Sequence, residues 1–267
     1  MTTAADLSTA HPREVRAAAR AGKLLTPTAG LARGYVQANL VILPARDADD
    51  FAQFCRLNER PCPLLEQTEM GNPEPVQSAL GADLRRDVPR YRIFRHGHHE
   101  PVEPTEVTSL WRDDFVGFLL GCSFTFEAAL EAAGLSVRHI HERRNVPMYR
   151  TAIACQPAGR FAGPMVVSMR PYRAEQIEQV IEITSRYPTM HGAPLHVGDP
   201  AALGITDVAR PDFGDAVTIH EDEIPVFWAC GVTPQLALLA AAPEIAITHS
   251  PGHMFVTDWK EEAFCKM

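Results

Sequence analysis

At 267 residues the chain is long enough to bury a sizeable core, as one large domain or one and a half. Hydrophobic residues at 46% and charged ones at 22% are the proportions of a soluble globular protein. A net charge of −8 with no basic run argues against broad nucleic-acid binding, which needs a basic face.

The six cysteines (Cys55, Cys62, Cys122, Cys155, Cys230, Cys265) are dispersed and form no CxxC pair. That spacing argues against a disulfide framework and for a reducing compartment. The N-terminal stretch "MTTAADLSTAHPREVRAAARAGK" lacks the apolar core of a secretory signal, and Asp6 and Glu14 speak against a transit peptide. The one long apolar run, "FVGFLLGCSFTFEAALEAAGL", carries Glu127 and Glu131, which make a membrane span costly. The expectation is a cytoplasmic protein with no membrane or nucleic-acid partner.

In chain order, "HPREVRAAARAGK" predicts a short helix with Pro12 in its first turn and Gly22 as its stop. "YVQANLVILP" is strand-like and ends at Pro44, and "DADDFAQFCRLN" follows as a helix with Phe51, Phe54 and Cys55 on one face. A proline-rich loop over 61–75 precedes the strand-like "RYRIFRHG", and "HGHH" at 96–99 reads as an exposed turn. Residues 114–133 are helical in composition, with Gly134 as a stop and Gly121 a point of division near Ser123. "PMYRTAIAC" and "PMVVSMR" alternate like strands, and "AEQIEQVIEITSRYP" is an amphipathic helix.

The last third predicts a strand at "IPVFWAC", a helix at "TPQLALLAAA" with Thr233 as N-cap, and a strand at "IAITH". That order predicts a β-α-β unit with parallel strands, whose carboxyl ends share one sheet edge where ligands bind. The predicted fold is α/β: a mixed sheet with helices on both faces, a three-layer sandwich. Residues 1–145 and 192–267 would form the main domain, with 146–191 as a smaller inserted α+β module.

The site candidates follow from that topology. His249 ends a strand and His253 begins the next across the turn "SPG", so both rings are candidates for acid–base work in one crevice. Cys230 and Thr233 stand at a helix start, where free N–H groups hold a carboxylate. In "HGAPLHVGDP", His196 and Asp199 are candidates, with His191 behind them; Asp199 before Pro200 is equally a helix cap. In "GCSFTFE", Cys122 and Ser123 form an anion-holding turn with Glu127 one turn inside the helix. Arg144, Arg150 and Arg170 suit a carboxylate ligand, and each is equally a structural ion pair. There is no GxSxG elbow, no HExxH and no nucleotide-binding glycine loop, so the reading assigns no metal and no cofactor.

At these residues the chain resembles the D-glutamate cyclase-like family, whose bacterial members carry a provisional hydro-lyase label. The resemblance lies in "GCSFTFE", "RNVPMYRT", "HGAPLHVGDP", "VFWACGVTPQ" and "THSPGHMFVTD", most of residues 120–258, with weaker similarity back to about residue 10. It implies a two-part α/β fold, and an activity in a relative that converts D-glutamate to 5-oxo-D-proline with loss of water. The eukaryotic relative with that activity carries an additional C-terminal domain. The expected function is therefore a hydro-lyase acting on a small amino-acid carboxylate. A metal-assisted lyase or hydrolase of another carboxylate, and a non-catalytic carboxylate-binding protein, stand as alternatives. Assembly into a homo-oligomer is left open.

Overall fold

The computed structural model describes residues 7–266; residues 1–6, the start of the stretch read against a targeting signal, lie outside the described residues. The elements run α1 (Pro12–Arg20), β1 (Tyr35–Pro44), α2 (Ala45–Leu57), β2 (Leu64–Gln67), β3 (Tyr91–Arg95), β4 (His98–His99) and β5 (Phe115–Gly121). They continue α3 (Phe124–Ala132), α4 (Arg138–His141), β6 (Met148–Ala154), β7 (Pro164–Arg173), α5 (Ile177–Ser185) and β8 (His196–Val197). The chain closes with β9 (Glu223–Ala229), α6 (Thr233–Ala241), β10 (Ala246–His249) and β11 (Phe255–Lys260).

The strands form two sheets: a seven-stranded one ordered β2-β5-β1-β10-β3-β4, with β11 also on β1, and a four-stranded one ordered β6-β7-β9-β8. The architecture is α/β, as the sequence implies. Each of these strand pairings is antiparallel, however, and β9 and β10 lie in different sheets. The parallel β-α-β unit expected at the C-terminal end therefore does not form. Helix α6 crosses from one sheet to the other, and its residues are buried on nearly every side, as a helix held between two layers must be. The second sheet draws β6 and β7 from residues 146–191 and β8 and β9 from beyond them.

The helix expected across 114–133 is in its first half the strand β5. "FVGFLLG" is buried along its whole length because β5 lies between β2 and β1. A short apolar run buried on both faces carries no periodicity that separates strand from helix. The second half, from Phe124, is helix α3, with Ser123 at its N-cap as expected. The proline-rich loop also contributes one short strand, β2.

One feature of the first sheet positions the site. Strands β10 and β11 lie along the same edge of β1, with Val41 opposite Thr248 and Ala38 opposite Phe255. Residues 250–254 loop out between them, so the edge of β1 is unpaired at Asn39. The loop is pinned: Asn145 Nδ2 donates to Pro251 O at 2.9 Å, and the Thr28 backbone N–H donates to Gly252 O at 2.9 Å.

Candidate active site

Two strand-to-helix corners, one from each sheet, face each other beside the open edge of β1 at Asn39. The first is β5–Cys122–Ser123–α3, and the second is β9–Cys230–Gly231–Val232–α6. Asn39, Cys122, Ser123, Phe124, Cys230, Gly231, His191 and His249 line the crevice between them. The space there is about 270 Å³ including its opening to solvent, with little room for more than a water molecule.

The two corners are built alike. Phe124 N–H donates to Cys122 Sγ at 3.5 Å, and the N–H of Val232 faces the Cys230 thiol in the same way. Burial pushes the Cys122 thiol well above its ordinary range and Cys230 up to about 11, so both are thiols, not nucleophilic thiolates, near neutral pH. Among the described residues, the backbone N–H groups of Ser123 and Gly231 take no hydrogen-bond partner. Helix N-termini leave such donors unsatisfied, and here one from each corner borders the same crevice. Gly231 is required by packing, because a Cβ there would collide with the Asn39 side chain.

Behind Ser123 lies a buried ionic network. Arg170, fully buried on β7, donates from Nη2 to Ser123 Oγ at 3.0 Å and from Nη1 to Ser168 Oγ at 3.1 Å. Its Nε donates to Glu127 Oε1 at 3.0 Å, and Nη2 also donates to that oxygen. The guanidinium packs against Phe126 and Trp228, 5.5 and 5.3 Å from their ring centres. His139 Nε2 stands 3.3 Å from Glu127 Oε1. Burial alone would raise the Glu127 carboxyl, but His139 and Arg170 outweigh it and hold Glu127 below its usual range. Glu127 and Arg170, both site candidates, thus form one pair that orients Ser123 without lining the crevice themselves. Because Ser123 Oγ accepts from Arg170, its own proton is free to be donated elsewhere.

Two buried histidines border the crevice. His249 Nδ1 is 2.7 Å from Ser250 O and Nε2 is 3.0 Å from Asn39 Oδ1, while Asn39 Nδ2 donates to Gly121 O at 2.7 Å. Both nitrogens of His249 face oxygen acceptors, and the neutral ring has one N–H to donate between them. Burial lowers its pKa to about 4, and the carbonyl of Ser250 works against that by favouring the protonated ring. His191 has one anchor, Nδ1 at 2.6 Å from Arg60 O, and burial lowers its pKa to about 4 as well.

The remaining candidates lie elsewhere. His253 turns away, with Nδ1 3.1 Å from Pro251 O and Nε2 3.3 Å from Leu25 O, and it is not a crevice residue. His196 sits on β8 with Nε2 2.8 Å from Asp199 O. Asp199 caps a short 3-10 turn, accepting from Ala201 N at 2.9 Å. Thr233 is the first residue of α6, not its cap. Its hydroxyl is turned back to donate to Cys230 O at 2.7 Å and accept from Val166 N at 2.9 Å, which fixes the corner. Arg144 is half exposed and donates to Ala216 O. Arg150 is half exposed, stands 3.6 Å from Asp212 and packs on Phe213. Asn39 and Gly231 carry no sequence signal that singles them out, and His191 lines the crevice beside His249 where His196 and His253 do not. Among the described residues, no group of three or more His, Cys, Asp or Glu side chains is arranged to hold a metal ion. Among them, too, no helix is long and apolar enough to cross a membrane.

A two-sheet α/β fold with a buried, donor-rich crevice defines the class, and comparison with known proteins gives the family. The sequence model of the family described as D-glutamate cyclase matches residues 116–258, which contain both corners, His191 and His249. A Bacillus licheniformis protein called a "putative hydro-lyase" is 58% identical over 254 residues, 95% of this chain and 97% of its own. Relatives of the same name from Rubrobacter xylanophilus and Stutzerimonas stutzeri are 59% and 55% identical, covering 94% and 98% of this chain and 96% and 97% of theirs. A nitrogen repressor-like protein of known structure from Methanococcus jannaschii aligns over 92% of this chain and 97% of its own at 10% identity. Its TM-score of 0.35 is too low to bear on the fold. The chain belongs to the D-glutamate cyclase family, among relatives named as hydro-lyases.

Proposed function

We propose that the protein is a hydro-lyase that removes water from a small amino-acid carboxylate in this crevice, with ring closure of D-glutamate to 5-oxo-D-proline as its reaction. One observation carries the reading. Unpartnered N–H donors from two helix starts, a hydroxyl backed by a buried guanidinium, and two histidines meet in one desolvated space.

Ring closure forms a bond between the substrate nitrogen and its side-chain carboxyl carbon and breaks a C–O bond of that carboxyl. Two protons leave the nitrogen, two arrive on the departing oxygen, and no electrons are exchanged. A five-membered ring supplies much of the proximity. The protein must hold the chain bent, move protons and stabilise a tetrahedral oxyanion. The Ser123 hydroxyl, polarised by Arg170, and the N–H groups of Ser123 and Gly231 are the donors for that oxyanion. In a site from which water is excluded, such fixed donors count for more than in solution. Arg144 and Arg150 lie away from the crevice, so the α-carboxylate falls to the helix starts. The substrate is larger than the present opening, so binding requires the corners or the 250–254 loop to part.

Incubating the purified protein with D-glutamate and with L-glutamate, and following 5-oxoproline by mass spectrometry, tests the reading. Product from the D-isomer supports it, and no product from either isomer removes the cyclisation step.

A further inference from the structure

We infer that His191 is the proton carrier of the crevice: its Nε2 meets the bound ligand, and in the proposed reaction it takes the proton from the substrate nitrogen and delivers it to the departing oxygen. This rests on the reading above for the reaction, but not for the contact.

Three observations on His191 point the same way. The ring is almost wholly buried, yet it borders the crevice. Its Nδ1 faces the carbonyl of Arg60 at 2.6 Å, so that nitrogen must carry the proton and donate it. The neutral ring is thereby fixed as one tautomer, with an unprotonated Nε2 for which the structure supplies no partner. Finally, the backbone is left-handed, with φ at 77°, a conformation costly for a non-glycine residue and concentrated at functional sites. The segment before it is wedged against the first corner, since a Cβ on Gly121 would collide with the carbonyl of Thr189.

His249 lacks this freedom, because an oxygen of Ser250 or Asn39 lies within 3.0 Å of each of its nitrogens. Near His191 the charged groups are Arg60 and Arg170, and both oppose a resting positive charge on the ring. The two carboxylates of the substrate counter them as it enters, and the imidazolium formed during the reaction is then a strong acid toward the leaving oxygen. Nε2 carries the two protons one after the other, each taken from the substrate nitrogen and given to the departing oxygen.

The test uses the intact protein. In ¹⁵N spectra near neutral pH, His191 should show a protonated Nδ1 and a bare Nε2. Adding D-glutamate or glutarate should move the Nε2 resonance, identified by its loss in His191→Asn. Asparagine tolerates the left-handed backbone, so this variant should keep the wild-type unfolding midpoint. Its turnover should fall on the order of 10²-fold or more with little change in KM, and imidazole added to His191→Gly should restore part of it. A protonated Nε2, a resonance that neither compound moves, or a near wild-type rate in His191→Asn would each overturn the inference. If the resonance moves and the wild type makes no 5-oxoproline, the cyclisation reading falls and the ligand contact stands.

Discussion

Arg170 on β7 donates to the hydroxyl of Ser123 at 3.0 Å, so a guanidinium from the second sheet holds the cap of a helix that springs from the first. Glu127, one turn into that helix, balances its charge. Removing one partner of a buried pair leaves the other uncompensated, which costs about 3–5 kcal/mol. Arg170→Met should therefore lower the free energy of unfolding by about that amount, read from urea denaturation. A loss of about 1 kcal/mol or less, typical of exposed pairs, would mean that the network is not closed in solution.

Ser123→Ala separates the hydroxyl from the fold. The backbone N–H stays and the ion pair stays, so unfolding should lose only about 1–3 kcal/mol for the Arg170 donor left without its acceptor. The turnover of D-glutamate should fall on the order of 10²- to 10³-fold, the usual effect of removing one oxyanion donor. Full activity in this variant would take the hydroxyl out of the chemistry.

His191 gives the protein a dependence on pH. Its folded pKa is about 4, against about 6.5 in the unfolded chain. Between those values the unfolded chain binds the proton and the folded one does not, so stability is full above about 6.5 and drains away as pH falls toward about 4. The contribution at stake is on the order of 3 kcal/mol. Urea midpoints measured across this window should fall for the wild type and fall less steeply for His191→Asn. Equal slopes would show that the ring is not held neutral by burial.

The two cysteines of the corners should behave as inert small side chains. With both thiols raised by burial, alkylation of the native protein near pH 8 should be slow at Cys122 and Cys230 and quicker at the partly exposed Cys265. Peptide mapping after timed iodoacetamide treatment reads this directly. Rapid labelling at Cys122 or Cys230 would reopen a thiolate mechanism.

Gly231 is a steric test of the crevice. Gly231→Ala drives a methyl group into Asn39, which in turn holds His249 Nε2 at 3.0 Å. The variant should lose turnover while keeping the strand β9, with its register on β7, and the helix α6. A crystal structure with Asn39 unmoved and activity intact would mean that the corner has slack.

Local patterns made most elements legible. The apolar spacing of α2 and α5, the proline start of α1 and the glycine stops of α1 and α3 are written in a few neighbouring residues each. The partners of the strands are not. "IPVFWAC" and "IAITH" carry the same signal whether they share a sheet or not, and only packing around α6 sends them to different ones. Cys122 and Ser123 stand out in the sequence only as a turn at a helix start after Gly121, and Cys230 and His249 as the ends of two strands; that all four border one crevice is set by the fold. That His253 turns away was not legible, since which side of a turn a ring takes is decided by Thr28, Leu25 and Asn145, far away in sequence. Asn39 lies inside an otherwise apolar strand, and its role appears only when β10 and β11 leave that point of β1 unpaired.

The central claim is that one crevice, formed by two strand-to-helix corners, removes water from a small amino-acid carboxylate. The most direct measurement is 5-oxoproline formed from D- and L-glutamate by the wild type, Ser123→Ala and His191→Asn side by side. The account predicts product from D-glutamate with the wild type and a collapse in both variants while each remains folded. Equal product from all three would contradict it and place the chemistry outside this crevice.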